Sequence, residues 1–154
     1  MIKTSLRYVP FNYKQDICAC TGLTLRAADL LTIDCFGFTS VAEAVYYNVE
    51  TSSKIWTIMN QNDEVYGIAG VGLDGNPWMF AEERIKEDTE GFFAGSHRMI
   101  AEMLEHFDLL WNYVWVGHTY SIKWLKKLGF VFNDQEIMIV NDEKFIYYEK
   151  ERDS

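Results

Sequence analysis

The sequence predicts a mixed α/β fold in one domain over 1–154, with a mainly antiparallel sheet and helices on both of its faces. Three observations carry this reading. A chain of 154 residues buries about 68–70% of its unfolded surface, enough for a full core without staples. Hydrophobic residues make up 49% and aromatic residues 16%, with two prolines, which excludes disorder and any substantial linker. Apolar runs with strand-like spacing are interleaved with runs at helical spacing, and no low-complexity segment or repeat interrupts them.

Residues 5–9, from Ser5, read as a first strand, and Pro10 and Asn12 turn the chain into a weak helix over 13–21 that Gly22 ends. The stretch 23–38 mixes apolar residues with Arg26, Asp29 and Asp34 and predicts a second short helix followed by a loop at Gly37. Ser40 with Glu43 three positions later forms a capping box, so a third helix runs to about Val49. The β-rich runs 54–59 and 64–73 flank Asn60, Gln61, Asn62 and Asp63, the pattern of an antiparallel hairpin. Glycines at 67, 70 and 72 in its second strand admit a close ligand or backbone, or else mark a bulge. Asp74, Gly75, Asn76 and Pro77 form a loop, and 78–80 an apolar knot ahead of a charged stretch.

Phe92, Phe93, Met99, Ile100, Met103, Leu104 and Phe107 share one face of a long helix over 89–106, with Asp88 and Glu90 at its positive end. Residues 109–116 are aromatic and β-branched, as in a strand buried on at least one face. Gly117, His118 and Thr119 then break the run and Ser121 serves as a cap. Ile122, Leu125 and Leu128 line one face of a short helix that Gly129 stops. Phe130 opens a new strand, and 136–140 with 144–149 close the chain as a hairpin around Asn141, Asp142 and Glu143. The strand–long helix–strand unit requires a right-handed parallel crossover. Parallel strands leave a crevice at their carboxyl ends, here between 71–77 and 116–118.

Fourteen basic against 23 acidic residues leave a formal charge of −9, which opposes attraction to nucleic acid or an anionic membrane. No run approaches the roughly 20 apolar residues that span a bilayer, and the start MIKTSLRYVP has no signal-peptide core, so a cytoplasmic protein is expected. Cys18, Cys20 and Cys35 lack paired zinc-site spacing and read as buried free thiols, with no metal site. Trp78, Trp111, Trp115 and Trp124 are assigned to the core and Asn112 to satisfying backbone groups. Lys123, Lys126 and Lys127 form a solvated helix face.

The strand, corner, short helix and LGF ending of 109–130 resemble the GNAT N-acetyltransferase superfamily, chiefly through SIKWLKKLGF. More narrowly, the chain resembles small acetyltransferase-like proteins of tailed bacteriophages grouped with internal virion protein A. Those proteins have a GxPW loop after the central strand and a later SIRWLxxLGF segment. Here these are Gly75-Asn-Pro-Trp78 and 121–130, and 25–45 and 64–73 are also similar.

The resemblance implies acetyl-CoA inserted between two splayed parallel strands. Its pyrophosphate would rest on backbone amides of a Q/RxxGxG/A loop at the start of the long helix, where free amides and the helix dipole favour an anion. The corresponding segment is Glu90-Gly-Phe-Phe-Ala-Gly95, in which glutamate takes the first position, Phe93 replaces a glycine and Gly95 is kept. Val71, Gly72, Leu73, Gly95 and Ser96 are thereby the implied cofactor-binding residues. The superfamily's acid tyrosine aligns with Leu125, which leaves Tyr120, five residues earlier, as the candidate acid. His118 at the strand end is the candidate base, since an imidazole with a pKa near 6.5 can accept a proton from an amine. Two functions are consistent with these residues. One is acyl-CoA-dependent N-acetylation of an amine on a small molecule or protein. The other is a non-catalytic phage protein that keeps the fold and binds in virion morphogenesis or to a host factor.

Overall fold

The computed structural model describes residues 6–153, so Ser5, where the first strand was expected to begin, lies outside the described residues. The described chain runs β1 (Arg7–Pro10), α1 (Tyr13–Thr21), α2 (Ala27–Cys35), α3 (Val41–Glu50), β2 (Ser52–Met59), β3 (Val65–Gly72) and β4 (Pro77–Ala81). A 3-10 turn over Glu83–Asp88 leads into α4 (Thr89–His106), then β5 (Leu109–Trp115), α5 (Thr119–Lys127), β6 (Val131–Val140) and β7 (Glu143–Glu151). The strands form two antiparallel sheets, ordered β1-β2-β3-β4 and β5-β7-β6.

The first sheet separates two cores by simple alternation. Trp56, Ile58, Ala69, Val71 and Ala81 face Met99, Ile100 and Met103 of α4. Ile68 and Phe80 face the opposite way, against Ile17 of α1, Ile33 of α2 and Val45 of α3. Each buried aliphatic or aromatic side chain contributes roughly 1.5–3 kcal/mol, so both faces of this sheet are held. Helix starts follow their capping residues. Asn12 accepts from Gln15 N, and Ser40 accepts from Glu43 N, while the Glu43 carboxylate reaches back to the Thr39 hydroxyl at 2.9 Å. Among the described residues, no helix is long and apolar enough to cross a membrane.

Four expectations change. The knot at 78–80 is part of strand β4, so the parallel crossover runs from β4, not β3, through α4 to β5. Cys18 is exposed, because it lies on the outer face of α1, whereas Cys20 and Cys35 are buried. Ser121 is not the cap of α5. The helix starts from His118, without a side-chain cap, and Ser121 sits inside its first turn. Of the four tryptophans assigned to the core, half-buried Trp78 and Trp124 pack against it, Trp111 and Trp115 are half-buried outside both clusters, and the fully buried tryptophan is Trp56.

Between the two sheets lies a short seam. The turn glycine Gly75 adopts φ +85°, and a Cβ at this position would lie 2.7 Å from the Leu109 carbonyl oxygen. This close approach lets the Gly75 carbonyl accept from Trp111 N at 3.1 Å. Asn76 Nδ2 donates to the Trp111 carbonyl at 3.1 Å and Asn112 Nδ2 to the Pro77 carbonyl at 2.7 Å. Beyond these bonds no ladder joins β4 to β5, which belong to separate sheets, and residues of both strands line a cavity past the seam.

Candidate ligand cavity between strands β4 and β5

The cavity lined by β4 and β5 has a volume of about 180 Å³. Its walls are Met79 of β4, Tyr113 of β5, Phe92 and Met99 of α4, and Trp124 and Leu125 of α5, with Tyr148 of β7 beneath them. It replaces the crevice expected between 71–77 and 116–118, because the strand that borders β5 is β4.

A polar cluster closes the cavity at the strand ends. Asp29, 4% exposed, accepts from Arg26 Nε at 2.9 Å, Arg26 Nη2 at 3.1 Å and Ala81 N at 3.0 Å. His118 Nε2 lies 3.4 Å from the same carboxylate and 2.9 Å from Ser121 Oγ. One side chain of α2 thereby joins the end of β4 to the corner after β5. Burial alone would raise the Asp29 pKa, but His118, the Arg26 guanidinium and the Ala81 amide outweigh it and hold the carboxyl below its ordinary value. Both His118 contacts fall on Nε2, so the group is not a Ser–His–Asp relay, in which the carboxylate orients Nδ1 while Nε2 serves the hydroxyl.

Of the residues expected at the site, His118 and Ser96 line this cavity. Ser96 Oγ shares a hydrogen bond with Tyr8 Oη at 2.8 Å, Tyr8 Oη also donates to the Phe92 carbonyl at 3.3 Å, and burial raises the Tyr8 pKa and keeps the phenol neutral. Tyr120 lies outside the lining. Its ring stacks on Phe92 with Lys86 above it, and its buried hydroxyl has no hydrogen-bond partner among the described residues. Val71 is paired on both sides, with Lys54 and Pro77, Gly72 packs on Asn76, and Leu73 is an exposed turn residue. Gly70 makes room for the Trp78 ring rather than a ligand. The residues not anticipated are Arg26, Asp29, Met79 and Tyr148. The i, i+3 spacing of Arg26 and Asp29 inside an apolar segment was the one available signal. Burial raises the pKa of Tyr148.

The start of α4 does not fit the pyrophosphate that the resemblance implies. Asp88, 8% exposed, caps the helix with Oδ1 accepting from Gly91 N and Oδ2 from Leu6 N, each at 2.9 Å. A Cβ at Gly91 would lie 2.1 Å from Asp88 Oδ2, and one at Gly95 would lie 2.2 Å from the Tyr8 ring. The space beside these glycines is therefore filled by the protein's own carboxylate and phenol. Phe93 packs on Trp124, with ring centroids 5.3 Å apart. A diphosphate at this helix end would meet Asp88 and Glu90, and each like-charge contact at about 4 Å costs on the order of 1 kcal/mol even in water.

The fold is that of a GNAT-type acetyltransferase. It is similar to spermidine N-acetyltransferase from Vibrio cholerae in complex with CoA and spermine, with a TM-score of 0.67 and 10% identity over 97% of this chain and 95% of that one. It is also similar to an acetyltransferase (GNAT family) from Bacillus anthracis, with a TM-score of 0.65 and 12% identity over 99% of both chains. For a GCN5-related N-acetyltransferase from Brucella melitensis the TM-score is 0.65 at 9% identity, over 96% of this chain and 76% of that one. At these identities the likeness is one of fold. The chain belongs to the family described as "Bacteriophage T7, probable scaffold protein Gp13", whose model matches residues 56–136, more than half of its length. A segment of 34 residues is 56% identical to the probable scaffold protein gp13 of Escherichia phage T7, covering 22% of this chain and 25% of that protein.

Proposed function

We propose that this is a non-catalytic phage protein that keeps the acetyltransferase-type fold and acts by binding another protein in virion assembly. The observation that carries the reading is Asp88, which occupies the helix end where the fold's cofactor would need an anion site. Leu125 supports it, since no ionisable group stands at the position expected to supply an acid. The family's description as a probable scaffold protein fits the same role. The protein would act in the host cytoplasm and enter, or leave, the forming particle.

Calorimetry with acetyl-CoA and CoA tests this. No heat and no shift in Tm are expected at millimolar ligand, while the protein co-sediments with assembling particles from infected cells. Saturable binding of acetyl-CoA, followed by acetyl transfer to a polyamine such as spermine, would overturn it. That outcome would favour the second reading, an acyl-CoA-dependent N-acetyltransferase, which the fold and the placing of His118 on the cavity wall support.

A further inference from the structure

We infer that the cavity is a socket for one aromatic side chain of a partner polypeptide, whose own backbone amide pairs with Met79. This deepens the proposed binding role and rests on it. Backbone polarity alternates along β4. The Pro77 carbonyl accepts from Asn112, Ala81 N donates to Asp29, and the Ala81 carbonyl accepts from Arg26 N, all on the side away from β3. Met79, midway between them, therefore turns its N–H and C=O the same way, into the open cavity, because strand residues alternate. The edge is tied at both ends, so one residue of strand pairing is available and no more.

Size and charge narrow the occupant. A dry cavity of about 150 Å³ accepts a benzene ring, and this one is about 180 Å³ with aromatic and aliphatic walls. Its charged groups, Arg26 and Asp29, are already paired to each other, so the inserted group is neutral. A phenyl or phenol side chain with a flanking amide fits the volume, the neutral lining and the free edge of Met79, and a ring anchored in a desolvated pocket is the usual form of an interface hot spot.

Titration of the full chain with N-acetyl-phenylalanine amide, followed by ¹⁵N–¹H spectra, tests the proposal. The Met79 amide should move downfield and saturate in about the millimolar range. N-acetyl-alanine amide, which lacks the ring, and benzene, which lacks the amide, should each bind at least tenfold more weakly. Leu125→Trp, checked for an unchanged fold by circular dichroism, should abolish the shift by filling the socket. Should that variant fail to fold, the three-ligand comparison on the unaltered protein decides alone. Equal shifts with the alanine amide, benzene binding as well as the phenylalanine amide, or no change at Met79 would each overturn the socket. A particle partner captured despite such a result would leave the binding role standing, whereas CoA binding would remove that role whatever the socket does.

Discussion

Replacing Asp29 by asparagine isolates what the buried cluster contributes. The substitution keeps one acceptor oxygen for Ala81 N but removes the charge that faces Arg26, which is 3% exposed and bonded to Asp29 through Nε and Nη2. A guanidinium left buried without its counter-ion destabilises by about 3–5 kcal/mol. For a domain of this size each kcal/mol lowers Tm by about 2–4 °C, so a fall of about 6–20 °C is expected by calorimetry. The double variant Arg26→Met with Asp29→Asn removes both charges and keeps the acceptor for Ala81 N. It should recover most of the loss, because a paired buried charge adds little over a hydrophobic group of similar volume. Equilibrium denaturation of both single variants and the double variant completes the cycle. A Tm for Asp29→Asn within 2 °C of the parent, or a double variant as unstable as the sum of the singles, refutes the account.

Three further outcomes follow from the same geometry. The Asp29 pKa is depressed in the fold, so its contribution is present above the unfolded value of about 4 and is lost as pH falls below it. Acid unfolding should therefore steepen below about pH 4, and less so in Asp29→Asn. Of the three thiols, exposed Cys18 should react with Ellman's reagent within minutes. Buried Cys20, pushed up to about 12 by burial and by the nearby Asp16 charge, should react only on unfolding. Gly95→Ala places a methyl group 2.2 Å from the Tyr8 ring and should lower stability by about 1–3 kcal/mol through overpacking; an unchanged Tm would mean that β1 yields freely.

Local signals were legible and long-range ones were not. Tyr13–Thr21 and Thr89–His106 form helices at the limits their spacing and flanking residues suggest, and both hairpins form about their polar turns. Strand β4 was missed because Pro77–Ala81 is only five residues long and is covered on both faces, so its apolar residues do not alternate with polar ones. Because 78–80 reads as a knot, the strand beside β5 is expected one strand too early, at Val71, Gly72 and Leu73, whereas Pro77 of β4 meets Asn112 of β5. His118 was legible because a histidine at a strand end is conspicuous. Asp29 was not, since its partner Ala81 lies 52 positions away and no local pattern encodes that contact.

The seam at Gly75, Asn76 and Pro77 bears on the order in which the molecule forms. Its side-chain bonds join residues 35 positions apart, with the whole of α4 between them, whereas the hairpins of each sheet close over short turns. Hairpins of this kind assemble in microseconds, but joining the sheets requires α4 to dock first, so the seam should be absent from the folding transition state. Asn112→Ala, which deletes the bond to Pro77, should then accelerate unfolding and leave the refolding rate almost unchanged. A refolding rate that drops in proportion to the lost stability would instead make the seam part of the nucleus around which the two sheets condense.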